Sequence, residues 1–159
     1  MALHMDNSPH TPDTLLVSAC LLGEPCRYDG RSQPSSAVQA LATSVAAAGG
    51  QVVPVCPEEA GGLGTPRPAA ELRGGDGHAV WEGQARVVRV ADGADVTEAF
   101  TRGAQASAHP NASRAILKAR SPSGGCGTTP IDGQVQAGDG VFAALLRRRG
   151  ASVQSDEEL

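Results

Sequence analysis

The chain has 159 residues, 40% hydrophobic and 19% charged, which suffices for one domain with a real core and argues against wholesale disorder. A net charge of -4 and only 3% aromatic residues disfavour a nucleic-acid backbone or a base-stacking surface as partner. No run reaches the ~18 apolar residues of a membrane span, and the polar, Pro-rich N-terminus lacks the apolar core of a signal peptide, so no membrane and a cytoplasmic location are expected.

Residues 1–12 read as a disordered or cloning-derived tail, with Met5 as a second candidate start, and residues 13–159 as a single domain. "TLLVSA" (14–19) predicts a buried strand closed by a turn-prone loop. "SSAVQALATSVAAAGG" predicts a helix, with Ser35 or Ser36 as N-cap, an inner face of Val38, Leu41 and Val45, and a stop at Gly49-Gly50. "QVVPV" (51–55) predicts a second buried strand ending at Cys56, so the segment is a βαβ unit with parallel strands and a right-handed crossover. The Gly- and Pro-rich stretch from Cys56 to Gly77 predicts a long irregular loop, of the kind that is commonly functional. "HAVWEG" and "ARVVRV" predict a hairpin turning at Gly83-Gln84. Asp95 to Glu98 fits a capping box for a helix over 96–108 with Phe100 inward. "RAILKA" (114–119) predicts a third sheet strand, followed by a second glycine-rich loop. Asp139 is expected to cap the helix "GVFAALLRRR", and "ASVQ" a final strand. There is no internal repeat.

In a reducing cytoplasm the four cysteines are expected to be reactive or metal-bound rather than disulfide-paired. Cys20, Cys56 and Cys126 each fall at, or just beyond, the C-terminal end of a predicted parallel strand, the edge where open α/β sheets bind ligands. Cys26, in the first loop, is within reach of the same place. The spacing from Cys20 to Cys26 suits neither a zinc knuckle nor a thioredoxin-type pair. A free cysteine is also a small buried hydrophobe. Closed zinc sites use short paired spacings, which are absent here, and soft thiolates from separated loops suit an iron–sulfur cluster. Spacing alone leaves these alternatives open.

The blocks "VSACLLGEPCRYDG", "PVCPEEAGGLGTPRPAAEL", "GADVTEAFTRGA", "ILKARSPSGGCG" and "GDGVFAALLRRRGASVQSDEEL" closely resemble, in this order, the TudS-type thiouracil desulfidases, an iron–sulfur-dependent family formerly classed as a domain of unknown function. The resemblance covers nearly all of residues 14–159. It implies an α/β fold: one Rossmann-like three-layer domain with a mostly parallel sheet, helices on both faces and a small hairpin insertion. It also implies a 4Fe-4S cluster held by three cysteines, matched here to Cys20, Cys56 and Cys126, with the fourth iron open to take sulfur from a thiopyrimidine. The products it implies are uracil and sulfide, with no net electron transfer. Cys26 also matches a family cysteine and is retained as an occasional ligand or a site thiol. Two departures stand out. In the family pattern a cysteine directly follows Ser-Pro-Ser, whereas Gly124-Gly125 intervene here before Cys126, and "GTTPIDG" lacks a tyrosine before Asp132.

Desulfuration calls for a soft Lewis acid, a base to activate water, and donors to steady charge on the pyrimidine. Glu58, two residues past Cys56, is the candidate acid–base, with Glu59 the less favoured neighbour and a solvated loop carboxylate the plain alternative. Ser121 and Ser123 are candidate donors, or turn formers around Pro122. Arg27, Tyr28 and Asp29 are candidate substrate contacts, or a turn and a surface ion pair. Arg67, in a loop stiffened by Pro66 and Pro68 that also carries Glu71, is a candidate pyrimidine clamp, or part of a rigid connector. His78 and His109 lack metal-pair spacing, and no phosphate-loop pattern is present. A small thiopyrimidine is therefore the expected partner of a monomer or weak dimer. The rivals are a desulfidase of thiolated nucleosides or tRNA fragments, and a non-catalytic cluster- or zinc-binding protein.

Overall fold

The computed structural model describes residues 13–159, and the tail expected at 1–12 lies outside them. From the N-terminal side, β1 (Thr14–Ser18) runs into a 3-10 turn (Ala19–Leu22), and α1 (Ser36–Ala47) leads to β2 (Gln51–Val55) and at once to α2 (Pro57–Ala60). Then come β3 (Ala70–Arg73), α3 (Gly77–Trp81), β4 (Arg86–Arg89) and α4 (Thr97–Ser107). β5 (Arg114–Leu117), β6 (Thr128–Ile131), β7 (Gln134–Ala137), α5 (Val141–Arg148) and β8 (Ser152–Ser155) follow, before a last 3-10 turn (Asp156–Glu158).

The four-stranded sheet has the order β2-β1-β5-β8 and every pair in it is parallel. Alternation along the strands sends side chains to two cores. Leu15, Val17 and Ile116 pack with Val38, Leu41 and Val45 of α1 on one face. Leu16, Ala115, Leu117 and Val153 pack with Phe100 and Ala104 of α4 and with Phe142, Leu145 and Leu146 of α5 on the other. Helices therefore cover both faces of a mostly parallel sheet, as expected. Ser35 caps α1, its Oγ accepting from the Val38 amide at 3.3 Å.

A second sheet, β4-β3-β6-β7, replaces the small hairpin. β3 pairs antiparallel with β4, β6 antiparallel with β7, and β3 parallel with β6. "HAVWEG" is not a strand: Asp76 accepts from the Ala79 amide at 3.1 Å and starts α3 between β3 and β4. A local side-chain cap outweighs the apolar alternation there. The long loop after Cys56 contains α2 and β3, and the glycine-rich loop after β5 contains the β6–β7 hairpin. That hairpin turns on Asp132 and Gly133, at φ 51° and 82°, the left-handed pair that a two-residue hairpin turn requires.

Two expected caps are revised. α4 begins after Val96 without a side-chain cap, although Asp95 accepts from the Thr97 amide at 2.8 Å. α5 begins after Gly140, also without a side-chain cap. Asp139 instead accepts from the Gly127 amide and pairs with His78 at 2.9 Å and Arg147 at 3.2 Å. No helix among the described residues is long and apolar enough to cross a membrane.

Candidate functional site

The chain leaves β1 for β2 on one side, and later enters β5 on the other. The loops after β1 and β5 therefore diverge and open a crevice at the C-terminal edge, where such sheets bind ligands. The crevice is a cavity of about 530 Å³. Ser18–Cys20 after β1, Cys56–Glu58 after β2 and Lys118–Gly124 after β5 line it, together with Cys26–Tyr28 and Arg67–Ala70 from two loops.

Cys20, Cys26 and Cys56 line this cavity, and Cys26 interacts with both of the others. The interaction with Cys26 lowers the Cys20 thiol below its ordinary value, against the opposing effect of burial, and the charges of Lys118 and Arg27 act in the same direction as Cys26. Cys26 is pushed up to about 11, first by its bond to Cys20. Cys56 is pushed up by its bond to Cys26, then by burial and by the Glu58 charge. Cys20 is thus the thiol of the three that ionises first. Soft sulfur donors are the right chemistry for an iron–sulfur cluster, and the donor set fits one in kind, while no group of three or more His, Cys, Asp or Glu among the described residues is already arranged to hold a metal ion.

Glu58, in α2, is largely buried: its side chain is 13% exposed and that of its partner Arg67 is 8% exposed, with 3.4 Å between them. Glu58 Oε2 also lies 3.7 Å from Cys56 Sγ. Arg67 donates to the carbonyls of Cys26 and Gly64 and to Thr65 Oγ1, and its amide donates to the Tyr28 carbonyl at 2.8 Å. Both terminal nitrogens of its guanidinium are thereby engaged with protein. Glu59 points away from this pair to the Thr65 hydroxyl and is exposed. Glu71 lies in β3, bonded to Arg73 and the Gly133 amide.

The two serines separate. Ser121 Oγ accepts from the Gly124 amide at 2.7 Å and shapes the loop. Ser123 is 3% exposed and its hydroxyl has no partner among the described residues, although it lines the cavity. An orphaned buried hydroxyl on a cavity wall calls for a ligand partner.

Cys126 is not brought to the cavity. The Gly125 amide donates to the Ser121 carbonyl at 2.8 Å, and the loop turns so that Cys126 Sγ meets Arg147 at 2.7 Å and the Val153 carbonyl at 3.3 Å. Burial raises its thiol, with Arg147 opposing. Of the CRYDG residues, Arg27 and Tyr28 line the cavity, with the guanidinium 5.9 Å from the ring centroid. Asp29 does not; it is exposed and accepts from the Arg31 amide at 3.0 Å, closing a turn.

Lys118 is the wall residue that reading the sequence overlooked. It follows β5 directly, as Cys56 follows β2, and that position was its only signal. Its ammonium donates to the Ala119 carbonyl at 3.0 Å.

These features define a single α/β domain with a thiol-bearing, cation-rich crevice at the switch point of a parallel sheet. The family described as 2-thiouracil desulfurase matches residues 15–158, and the chain belongs to it. It is 41% identical over 152 residues to the uncharacterized protein YbbK of Bacillus subtilis (strain 168), covering 91% of this chain and 97% of that protein. Among solved structures it resembles a [4Fe-4S]-dependent thiouracil desulfidase, TudS, with a TM-score of 0.73 and 41% identity, covering 92% of this chain and 93% of that one.

Proposed function

We propose that this chain is a 4Fe-4S-dependent thiouracil desulfidase of the cytoplasm, turning thiouracil and water into uracil and hydrogen sulfide without net redox change. The convergence of Cys20, Cys26 and Cys56 on one cavity beside the buried Glu58 carries this reading, together with family membership. Cys20, Cys26 and Cys56 are the ligand set in this reading. The contacts of Cys126 with Arg147 and Val153 favour Cys26 in its place. When bound, the cluster supplies a soft Lewis-acid iron for the thiocarbonyl sulfur.

The protein's own groups supply the rest. Glu58 takes a proton from water as its oxygen approaches the C–S carbon and returns it to the departing sulfur. Arg67 holds that carboxylate by Oε2, and Oε1 makes no hydrogen bond among the described residues. Ser123 Oγ donates to the pyrimidine edge, and Ser121 keeps the loop in place. Arg27 and Tyr28 stand at the wall as contacts for the outer part of the substrate.

The cavity volume of about 530 Å³ favours a second reading in which the substrate is a thiolated nucleoside, since a pyrimidine ring alone occupies a minor part of it. Anaerobic reconstitution with iron and sulfide, followed by separate assays with 2-thiouracil and its ribonucleoside, tests both. Sulfide release supports the enzyme. A colourless protein that holds zinc and releases none contradicts it.

A further inference from the structure

Five cations line the cavity (Arg27, Arg67, Arg89, Lys118 and Arg120) against a single carboxylate, Glu58. Three of them are paired: Arg67 with Glu58, Arg89 with Asp92, and Arg120 with Glu157. Arg27 lies over the exposed ring of Tyr28. Lys118 differs from all four. Its amide donates to Ser18 Oγ at 2.9 Å, which pins the start of its loop to the end of β1, beside the turn that carries Cys20. Its side chain is half-buried. Its ammonium has one partner, the Ala119 carbonyl at 3.0 Å, and pairs with no carboxylate among the described residues. An ammonium has three donors, so two remain. The orphaned hydroxyl of Ser123 belongs to the same loop and the same wall.

As the water oxygen bonds to the C–S carbon of the thiol tautomer, the C=N π bond breaks and its electron pair passes to the ring nitrogen beside the remaining carbonyl. The resulting charge spreads to the remaining exocyclic oxygen until the C–S bond breaks, sulfur leaving with two protons as hydrogen sulfide. A fixed cation at that oxygen stabilises the transition state more than the neutral ring.

We propose that Lys118 is a substrate-contacting catalytic residue, its ammonium taking the exocyclic oxygen that a mono-thiopyrimidine retains, with Ser123 Oγ as the second donor to the ring edge. The contact selects oxo-thio pyrimidines over dithio ones, because sulfur is a weak acceptor. This inference rests on the desulfidase reading.

The test uses cluster-loaded wild type, Lys118→Met and Lys118→Arg. It measures kcat/KM for 2-thiouracil and 2,4-dithiouracil, uracil binding by calorimetry, and iron content. Lys118→Met is expected to lose about 100-fold in kcat/KM on 2-thiouracil, only a few-fold on 2,4-dithiouracil, and to weaken uracil binding about 10-fold. Iron should stay at the wild-type level, and Lys118→Arg should recover part of the loss. Equal losses on the two substrates, unchanged uracil affinity, or loss of iron would overturn the proposal. If the cluster-loaded wild type releases no sulfide from either substrate, the desulfidase reading falls, and the uracil measurement still decides whether Lys118 contacts the ring.

Discussion

The guanidinium of Arg67 joins Glu58 to Cys26: one nitrogen lies 3.4 Å from the Glu58 carboxylate and 3.0 Å from the Cys26 carbonyl. A loop cation thus holds both the candidate acid–base and the segment that carries a proposed cluster thiol. Removing it leaves the mostly buried Glu58 side chain without its ion-pair partner. Arg67→Met is expected to cost on the order of 3 kcal/mol, since breaking a buried pair is far more costly than the pair's net worth. The Arg67→Met/Glu58→Gln double variant should recover part of that stability. Urea unfolding, followed by the fluorescence of the sole tryptophan, Trp81, checks the cycle.

Glu58→Gln keeps the size and hydrogen bonding of the side chain but cannot accept a proton. We expect kcat to fall by about 100-fold or more, while iron content and absorption spectrum stay at wild type. Retained turnover in steady-state sulfide assays would remove Glu58 from the mechanism.

Helix α2, which carries Glu58, sits hard against α4. A Cβ at Gly103 would collide with the Pro57 carbonyl, and one at Gly61 with the Ala99 carbonyl. Alanine at Gly103 would improve helix propensity by about 1 kcal/mol, but a clash with backbone cannot be relieved by a rotamer change. Gly103→Ala should therefore lower both the melting temperature and kcat, by displacing α2. A rise in melting temperature with unchanged kcat would show that the two helices separate freely.

The hydrogen-bonded thiols titrate in a set order in the cluster-free chain. Cys20, lowered chiefly by Cys26, ionises first, and Cys26 titrates near 11. Thiolate ultraviolet absorbance against pH should show an early step that disappears in Cys20→Ser. In Cys26→Ser that step should shift if the replacing hydroxyl is the poorer partner, and Cys126→Ser should leave it in place.

The parallel sheet and the C-terminal-edge placement of Cys20 and Cys56 were legible because buried strands, a capped helix and short links leave few topologies. Of the second sheet, β4 was legible within "ARVVRV" and the rest was not. Its strands are four residues each, mostly too short for alternation to register, and β3 pairs on one side with β6, far along the chain. The Asp132-Gly133 dipeptide was the usable hairpin signal, lost in a stretch dense with glycine. Cys126 was placed at the crevice both by its position beyond the third predicted strand and by motif match, but the loop that follows Ser123 turns it away from the cavity to Arg147 and Val153. Arg67 lies on the cavity wall as its loop suggested, but its partners Tyr28, Cys26 and Glu58 lie in segments whose approach no local pattern encodes. The orphaned hydroxyl of Ser123 likewise depends on packing.

The most direct test of the proposed cluster-bearing thiol set is the iron bound per chain after anaerobic reconstitution of the four single cysteine-to-serine variants. Cys20→Ser, Cys26→Ser and Cys56→Ser should lose iron and the visible cluster absorbance, while Cys126→Ser keeps the wild-type content. Full iron in Cys26→Ser with loss in Cys126→Ser would contradict the assignment and return the third thiolate to the glycine-rich loop.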